Sequence, residues 1–284
     1  MKGNPMSQKV WFITGCSTGL GYELAKQVLD RGDRAALTAR SPHKLNELVA
    51  NYGSNAIALP LDVTDEQAIT KAVSDAESHF GRTDVLVNNA GYGYFSAVEE
   101  GEDSEIRRQF ETNVFGLYSV TRKVLPGMRS RRNGHIINIS SIGGLMAFSA
   151  TGYYHASKFA VEGFSESLSQ EVGPLGIKVT IVEPGRFRTD WAGRSMIESK
   201  TVIDDYAATA GARRKAAHEY SGTQPGDPVR GAGAIIKAVD AAEPPLRLLL
   251  GSDAYKLAQG RLEALQKNFD AWRDLTVSTD FPQE

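Results

Sequence analysis

Tyr154 and Lys158 stand four residues apart, a spacing that puts both side chains on one face of a helix. An ammonium so placed sits beside the phenol and favours its ionised form. An unperturbed phenol titrates at about 10, too high for efficient work near neutrality, but a tenfold gain in its acidity needs only about 1.4 kcal/mol. The pair is therefore expected to carry a proton, with Tyr154 as the exchanging group. Tyr153 stands beside it, yet its i+4 neighbour is Ser157. The register selects Tyr154 and leaves Tyr153 as pocket wall.

Far upstream lies a glycine-rich turn, Thr14-Gly-Cys-Ser-Thr-Gly-Leu-Gly21, between an apolar run and a segment with helical spacing. Glycines at such a junction let backbone approach a pyrophosphate closely, and the helix N-terminus offers free N–H groups and partial positive charge. Gly15, Gly19 and Gly21, with Ser17, Thr18 and Leu20 between them, are candidate contacts to a dinucleotide. Which dinucleotide is decided at the end of the second strand, where a carboxylate binds a ribose 2′-hydroxyl and an arginine accepts a 2′-phosphate. Here the stretch reads Leu37-Thr-Ala-Arg40, so NADP(H) is expected over NAD(H), with Arg40 on the phosphate. Asp62 follows the third strand, where its carboxylate could accept from an adenine amino group and Val63 could lend its backbone; alternatively Asp62 caps the next helix. Asn88-Asn-Ala-Gly91 closes the fourth strand. Asn89, Ala90 and Gly91 suit close approach to the adenosine ribose and bonding between strands. A nicotinamide-dependent oxidoreductase is the reading that joins the turn to the tyrosine–lysine pair.

Elements that could position these groups alternate along the chain. Strands are expected at Val10–Thr14, Ala35–Ala39, Ala56–Leu61, Asp84–Asn88, His135–Ser140, Lys178–Val182 and Leu246–Leu250, with helices between. The fold class is α/β: one Rossmann-like domain over 1–284, a doubly wound parallel sheet of about seven strands with helices on both faces. Near-continuous apolar strands fit a sheet covered on both faces. One long helix is expected over Ser104–Arg131 and another over Thr151–Val172. Residues 189–225 read as a polar, poorly periodic insertion carrying Trp191, Met196 and Tyr206, a candidate substrate lid. Asp227-Pro228 is an N-cap and first-turn pair, and 252–284 reads as a closing amphipathic helix with a frayed end.

Composition narrows the rest. With 41% hydrophobic and 23% charged residues and a net charge of -2, the chain lacks the basic surplus of a nucleic-acid binder. Its one cysteine, Cys16, cannot pair within the chain, so a cytoplasmic home is expected. Met1 to Gln8 are polar, and no apolar run is long enough to span a membrane. The five dispersed histidines lack ligand spacing, so no metal is expected. Asn138-Ile-Ser140 matches a glycosylation sequon but falls in a strand expected to be buried.

The motifs TGCSTGLG at 14–21, NNAG at 88–91, and Ser141 with YHASK at 154–158 resemble the short-chain dehydrogenase/reductase family over about residues 8 to 190. The resemblance implies that Ser141 orients the substrate oxygen, Tyr154 exchanges its proton, and Lys158 lowers the tyrosine's pKa and holds the nicotinamide ribose. It further implies that Asn113 steadies a water leading to Lys158, and that Pro184, Gly185 and Thr189 touch the nicotinamide. A small-molecule alcohol or carbonyl substrate and a homodimer or homotetramer, packed through the helices near 104–131 and 151–172, are implied as well. Val182-Glu-Pro-Gly-Arg-Phe-Arg-Thr-Asp-Trp191 is similar to the branch with hydroxysteroid- and retinol-dehydrogenase-like members, which makes a bulky apolar substrate plausible. Phe95, Ile142, Met146, Phe148, Tyr153 and Trp191 are candidate pocket walls. The rival reading is a silent NADP-sensing regulator of the same fold, which would be expected to lack one of Ser141, Tyr154 and Lys158. A nucleotide-sugar epimerase is disfavoured by the short tail after Leu250.

Overall fold

The computed structural model describes residues 8–189 and 196–281. Val10–Ile13 (β1) leads through the glycine turn into Gly19–Asp30 (α1), then Arg34–Ala39 (β2), Asn46–Ala50 (α2), Ala56–Pro60 (β3), Glu66–Phe80 (α3) and Val85–Asn88 (β4). Gly93–Phe95 (β5), Asp103–Phe110 (α4), Leu117–Arg131 (α5), Gly134–Ile139 (β6), Gly152–Val172 (α6) and Ile177–Pro184 (β7) follow. The chain then forms Met196–Glu198 (β8), Ala212–Glu219 (α7), Pro228–Asp240 (α8), Arg247–Leu250 (β9), Ser252–Ala271 (α9) and Arg273–Val277 (α10).

Seven strands form one parallel sheet in the order β3-β2-β1-β4-β6-β7-β9. Side chains alternate along each strand, so Trp11 and Ile13 enter an apolar layer with Leu24, Val28 and Ile235 of α1 and α8. Val10 and Phe12 enter the opposite layer with Ile69, Val73, Val120 and Val124 of α3 and α5. All four β1 residues are buried, which is why the strand reads as an uninterrupted apolar run. Chain order reverses between β1 and β4, and the carboxyl ends of a doubly wound sheet are open to a ligand at such a point.

Three segments depart from the expected elements. The helix expected over Ser104–Arg131 is divided by a π turn at Glu111–Gly116. The span after Pro184 carries more order than its weak periodicity implied, because β8 pairs with β5 and α7 follows a second π turn at Ala207–Gly211. Last, the closing helix does not lay its apolar stripe on the body: beyond Ala258, Leu262, Phe269 and Trp272 are all exposed. Asp227 caps α8 as read, accepting from the backbone N–H of Val229 and Arg230.

Candidate active site

The glycine turn is held from β4. Thr14 is buried, and its hydroxyl accepts from the backbone N–H of Asn89 (2.9 Å) and Ala90 (3.0 Å). Asn89 in turn donates its side-chain amide to the carbonyls of Thr14 and Gly15, both at 2.9 Å. Gly15 has φ +71°, and a Cβ there would come within 3.0 Å of Ala90 Cα. A Cβ on Gly21 would collide with the Asn89 amide nitrogen. These glycines therefore serve left-handed backbone and close approach. Asn89 braces the turn through its side chain, and Leu20 turns its side chain into the apolar layer, so any ligand contact from Leu20 comes through its backbone. Thr18, at the N-cap of α1, makes no side-chain cap bond, and no acidic residue occupies the first turn. That helix end keeps donors for an anion.

Arg40 is exposed at the end of β2, with no hydrogen bond or ion pair among the described residues. Asp62 does not cap the next helix: Asp65 does, accepting from Gln67 and Ala68. Asp62 instead closes a small turn, its Oδ1 accepting from the Thr64 backbone (3.0 Å) and hydroxyl (2.8 Å). Val63 is buried, and its carbonyl would lie 2.7 Å from a Cβ on Gly116. The glycine in the π turn thus makes room for the Val63 backbone. Thr189 lies against the glycine turn, 3.5 Å from the Cβ position of Gly19. Gly185 continues the pairing, donating to Leu250 (2.9 Å), after Pro184 at the end of β7. The glycine turn, the open end of α1 and the backbone room at Gly116 fit a nicotinamide dinucleotide.

Four of the expected site residues, Ser141, Tyr154, Lys158 and Asn113, come together where β4, β6 and α6 meet. Ser141, just past β6, accepts from the Gly143 backbone (3.0 Å) and is hydrogen-bonded to Tyr154. Lys158 donates to the Ile139 carbonyl (2.8 Å), and its ammonium lies 5.7 Å from the centre of the Tyr154 ring. Asn113 occupies the π turn, 1% exposed, its side chain closing both backbone groups of Tyr92 and donating to Ser157 (3.2 Å). Gly91 leaves space between them: a Cβ there would lie 3.1 Å from Asn113 Oδ1 and 3.8 Å from Lys158 Nζ. Ser140 points away, beneath Gly144 and beside Glu162, as strand alternation requires.

The electrostatics correct one expectation. Burial pushes the Tyr154 phenol up to about 12, with the Ser141 hydrogen bond pulling the other way. Burial likewise brings the Lys158 ammonium down to about 8, opposed by the Glu162 carboxylate. In so dry a site each charged form loses hydration, and the cation faces the ring. Burial, more than the neighbouring ammonium, therefore sets the direction at the phenol.

Sequence reasoning missed several groups. His155 ties α6 to the 142–144 turn, its ring bonded to Thr151 Oγ1 (2.8 Å) and the Gly143 carbonyl (3.1 Å). Ala150, just before α6, is buried with φ +64°, an unusual conformation for a residue with a Cβ. Glu100 anchors the 196–219 span: it accepts from Ala97 and Ile203 and pairs with Arg214 at 2.6 Å. Of the missed groups, only Glu162 carries a signal in the spacing, standing four residues beyond Lys158. Among the candidate pocket walls, Phe95 and Ile142 sit in buried apolar clusters, and Met146 packs partly against Ile142. Tyr153 donates its hydroxyl to the Val98 carbonyl (2.7 Å). Phe148 lies under Arg213, 4.4 Å from the guanidinium carbon to the ring centre. Trp191 lies outside the described residues.

Comparison with known proteins agrees with this geometry. Residues 9–199 match the family described as short chain dehydrogenase. The chain is 41% identical over 272 residues to the oxidoreductase BOA17 of Botryotinia fuckeliana, covering 95% of this chain and 99% of that one. It is 38% identical over 246 residues to the 3-ketodihydrosphingosine reductase of Bacteroides thetaiotaomicron, covering 87% and 89%. A solved short-chain dehydrogenase from Streptomyces avermitilis superposes with TM-score 0.91 at 42% identity, over 97% of this chain and 100% of that one. ElxO, solved with NADP bound, superposes with TM-score 0.72 at 25% identity, over 88% and 99%. The chain belongs to the short-chain dehydrogenase family. Within it, the protein is an oxidoreductase acting on CH–OH groups.

Proposed function

We propose that the protein interconverts a secondary alcohol and a carbonyl compound with NADP(H), on a mostly apolar small-molecule substrate. The observation that carries this reading is the Ser141–Tyr154 hydrogen bond with Lys158 beside the same ring, at the carboxyl end of the sheet. When bound, the dinucleotide supplies or takes the hydride. Ser141 orients the substrate oxygen. Tyr154, protonated at neutral pH because burial holds it near about 12, donates to the oxygen as it becomes an alkoxide in reduction; in oxidation it must first lose its own proton, and the phenolate then takes the proton of the alcohol. Lys158 holds the nicotinamide ribose, and Asn113, fixed by Tyr92 and Ser157, steadies a water leading to it.

Preference for the 2′-phosphate rests on Arg40, exposed and unpaired among the described residues, with no carboxylate closing β2. ElxO, solved with NADP bound, is consistent with it. Residues 189–225 act as the lid, and the ketone-reducing relative from Bacteroides thetaiotaomicron supports a substrate with a long apolar part. One Rossmann-type domain working in the cytoplasm as a homodimer or homotetramer completes the reading. Purified protein should oxidise NADPH with a member of a panel of apolar ketones. Tyr154→Phe should lower that rate by at least about a thousandfold, within the scale of lost acid–base catalysis, and still bind NADPH. Turnover surviving in the variant overturns the mechanism.

A further inference from the structure

Behind Lys158 the structure buries more charge than a core requires. Glu183, next to last in β7, is 0% exposed, and Glu162 on α6 is 5% exposed. Arg247 of β9 binds both: its Nη1 donates to Glu162 and, at 2.6 Å, to Glu183, while its Nη2 reaches the exposed Glu166 at 2.5 Å. One guanidinium nitrogen thus faces two carboxylates from different elements. Buried charges are costly unless paired, and two carboxylates sharing one donor do not both ionise freely. Lys158 lies four residues before Glu162, and Glu162 acts on it electrostatically. The groups that face Glu162 are Lys158 from α6, Glu183 from β7, Arg247 from β9, and the Ser140 hydroxyl just past β6, with Glu166 on the other nitrogen of the same guanidinium.

We propose that Glu162, clamped by Arg247 and coupled to Glu183, is a positioning residue that keeps Lys158 charged through the working pH range. The inference rests on the catalytic reading above, because Lys158 matters only if it serves Tyr154 and the ribose. In the ordinary state one proton is shared within the Glu162–Glu183 pair, and Glu183 takes the larger part: burial pushes its carboxyl up to about 7, with Glu162 adding to the rise. Glu162 then carries the negative charge that offsets the dry surroundings of the ammonium. The pair works as a buffer. Adding a second proton to it removes the charge that offsets the burial of Lys158.

Two isosteric substitutions test this by the size of the shift each gives. In Glu162→Gln, the alkaline limb of the pH profile of kcat/KM should move down by about one pH unit, an approximately tenfold loss at pH 8.5 with little change at pH 6.5. In Glu183→Gln the same limb should move much less, since a carboxyl raised to about 7 has given up its proton before the limb is reached and Glu162 is ionised there in either protein. Glu166→Gln, altering an exposed group, should leave it in place. The 15Nζ shift of Lys158, titrated in the protein without dinucleotide, should follow the same directions. A folded Glu162→Gln with an unmoved limb overturns the proposal, and so does a downward move in Glu183→Gln as large as that in Glu162→Gln. Failure of the catalytic reading would show separately, as wild-type protein with no NADPH-dependent turnover at pH 7.

Discussion

A phenol and an ammonium buried together do not lower one another's proton affinity by proximity alone. Lys158 lies 5.7 Å from the centre of the Tyr154 ring, and the burial that brings them together raises the phenol and lowers the amine. The consequence favours Tyr154 as an acid, because the neutral phenol is the species a nascent alkoxide needs. Arg40 poses a simpler question. It is exposed and unpaired among the described residues, so its removal leaves the fold alone and tests only the ligand. A charge-assisted bond to phosphate is worth about 1.5 to 3 kcal/mol, so Arg40→Ala should raise the NADPH dissociation constant by about tenfold or more. NADH affinity should stay within about twofold, since a difference of about 1.4 kcal/mol is needed for a factor of ten. Fluorescence titration of both dinucleotides decides it, and an equal loss for the two would show that Arg40 does not read the phosphate.

Elements were legible in proportion to how local their causes are. Each sheet strand is covered on both faces, so Ala35–Ala39 or Lys178–Val182 announces itself as an apolar run within a residue or two of its true ends, except that β7 runs on to Pro184. The glycine turn and the Tyr154–Lys158 register were legible because positive φ and i+4 spacing are short-range. The π turn at 111–116 was not, since its extra residue is fixed by Asn113 reaching Tyr92 and by Gly116 meeting Val63, contacts across the fold. Nor was the order within 196–219. It comes from Glu100, whose carboxyl is pushed up by burial but held below its ordinary range by the Ile203 and Ala97 N–H groups and by Arg214. Breaking a buried ion pair by removing one partner costs about 3 to 5 kcal/mol. Arg214→Met should therefore lower unfolding stability by about 3 kcal/mol and raise KM for an apolar ketone more than it lowers kcat. Urea unfolding and steady-state kinetics read the two effects, and a variant with unchanged stability would remove the anchor.

Across the whole molecule, acid stability is a contest between buried groups on the sheet. His135 on β6 is buried against Thr180 Oγ1 (2.9 Å), and burial, with Lys9 and Lys178 nearby, lowers it to about 4. In the unfolded chain it titrates near about 6.5. The unfolded state therefore binds the extra proton between those values, and the stability present above pH 6.5 is lost as pH falls toward 4. His155 behaves alike, lowered to about 4 by burial, with the Gly143 carbonyl opposing and Arg213 assisting. Glu183 runs the other way: raised to about 7, it binds its proton in the folded state first, so its contribution grows as pH falls below 7. The net profile of the wild type is thus shallower than two buried histidines alone would make it, and single variants are needed to separate the parts. His135→Gln keeps a hydrogen-bonding group near Thr180 and removes the titration. Relative to wild type, its unfolding free energy should rise by about 2 kcal/mol between pH 7 and pH 5, at about 1.4 kcal/mol per pH unit once the histidine titrates. Chemical denaturation at those two pH values measures the difference directly. If the gap between variant and wild type does not change with pH, the His135 ring is not held neutral against Thr180 in the folded protein, and acid sensitivity has to come from other groups.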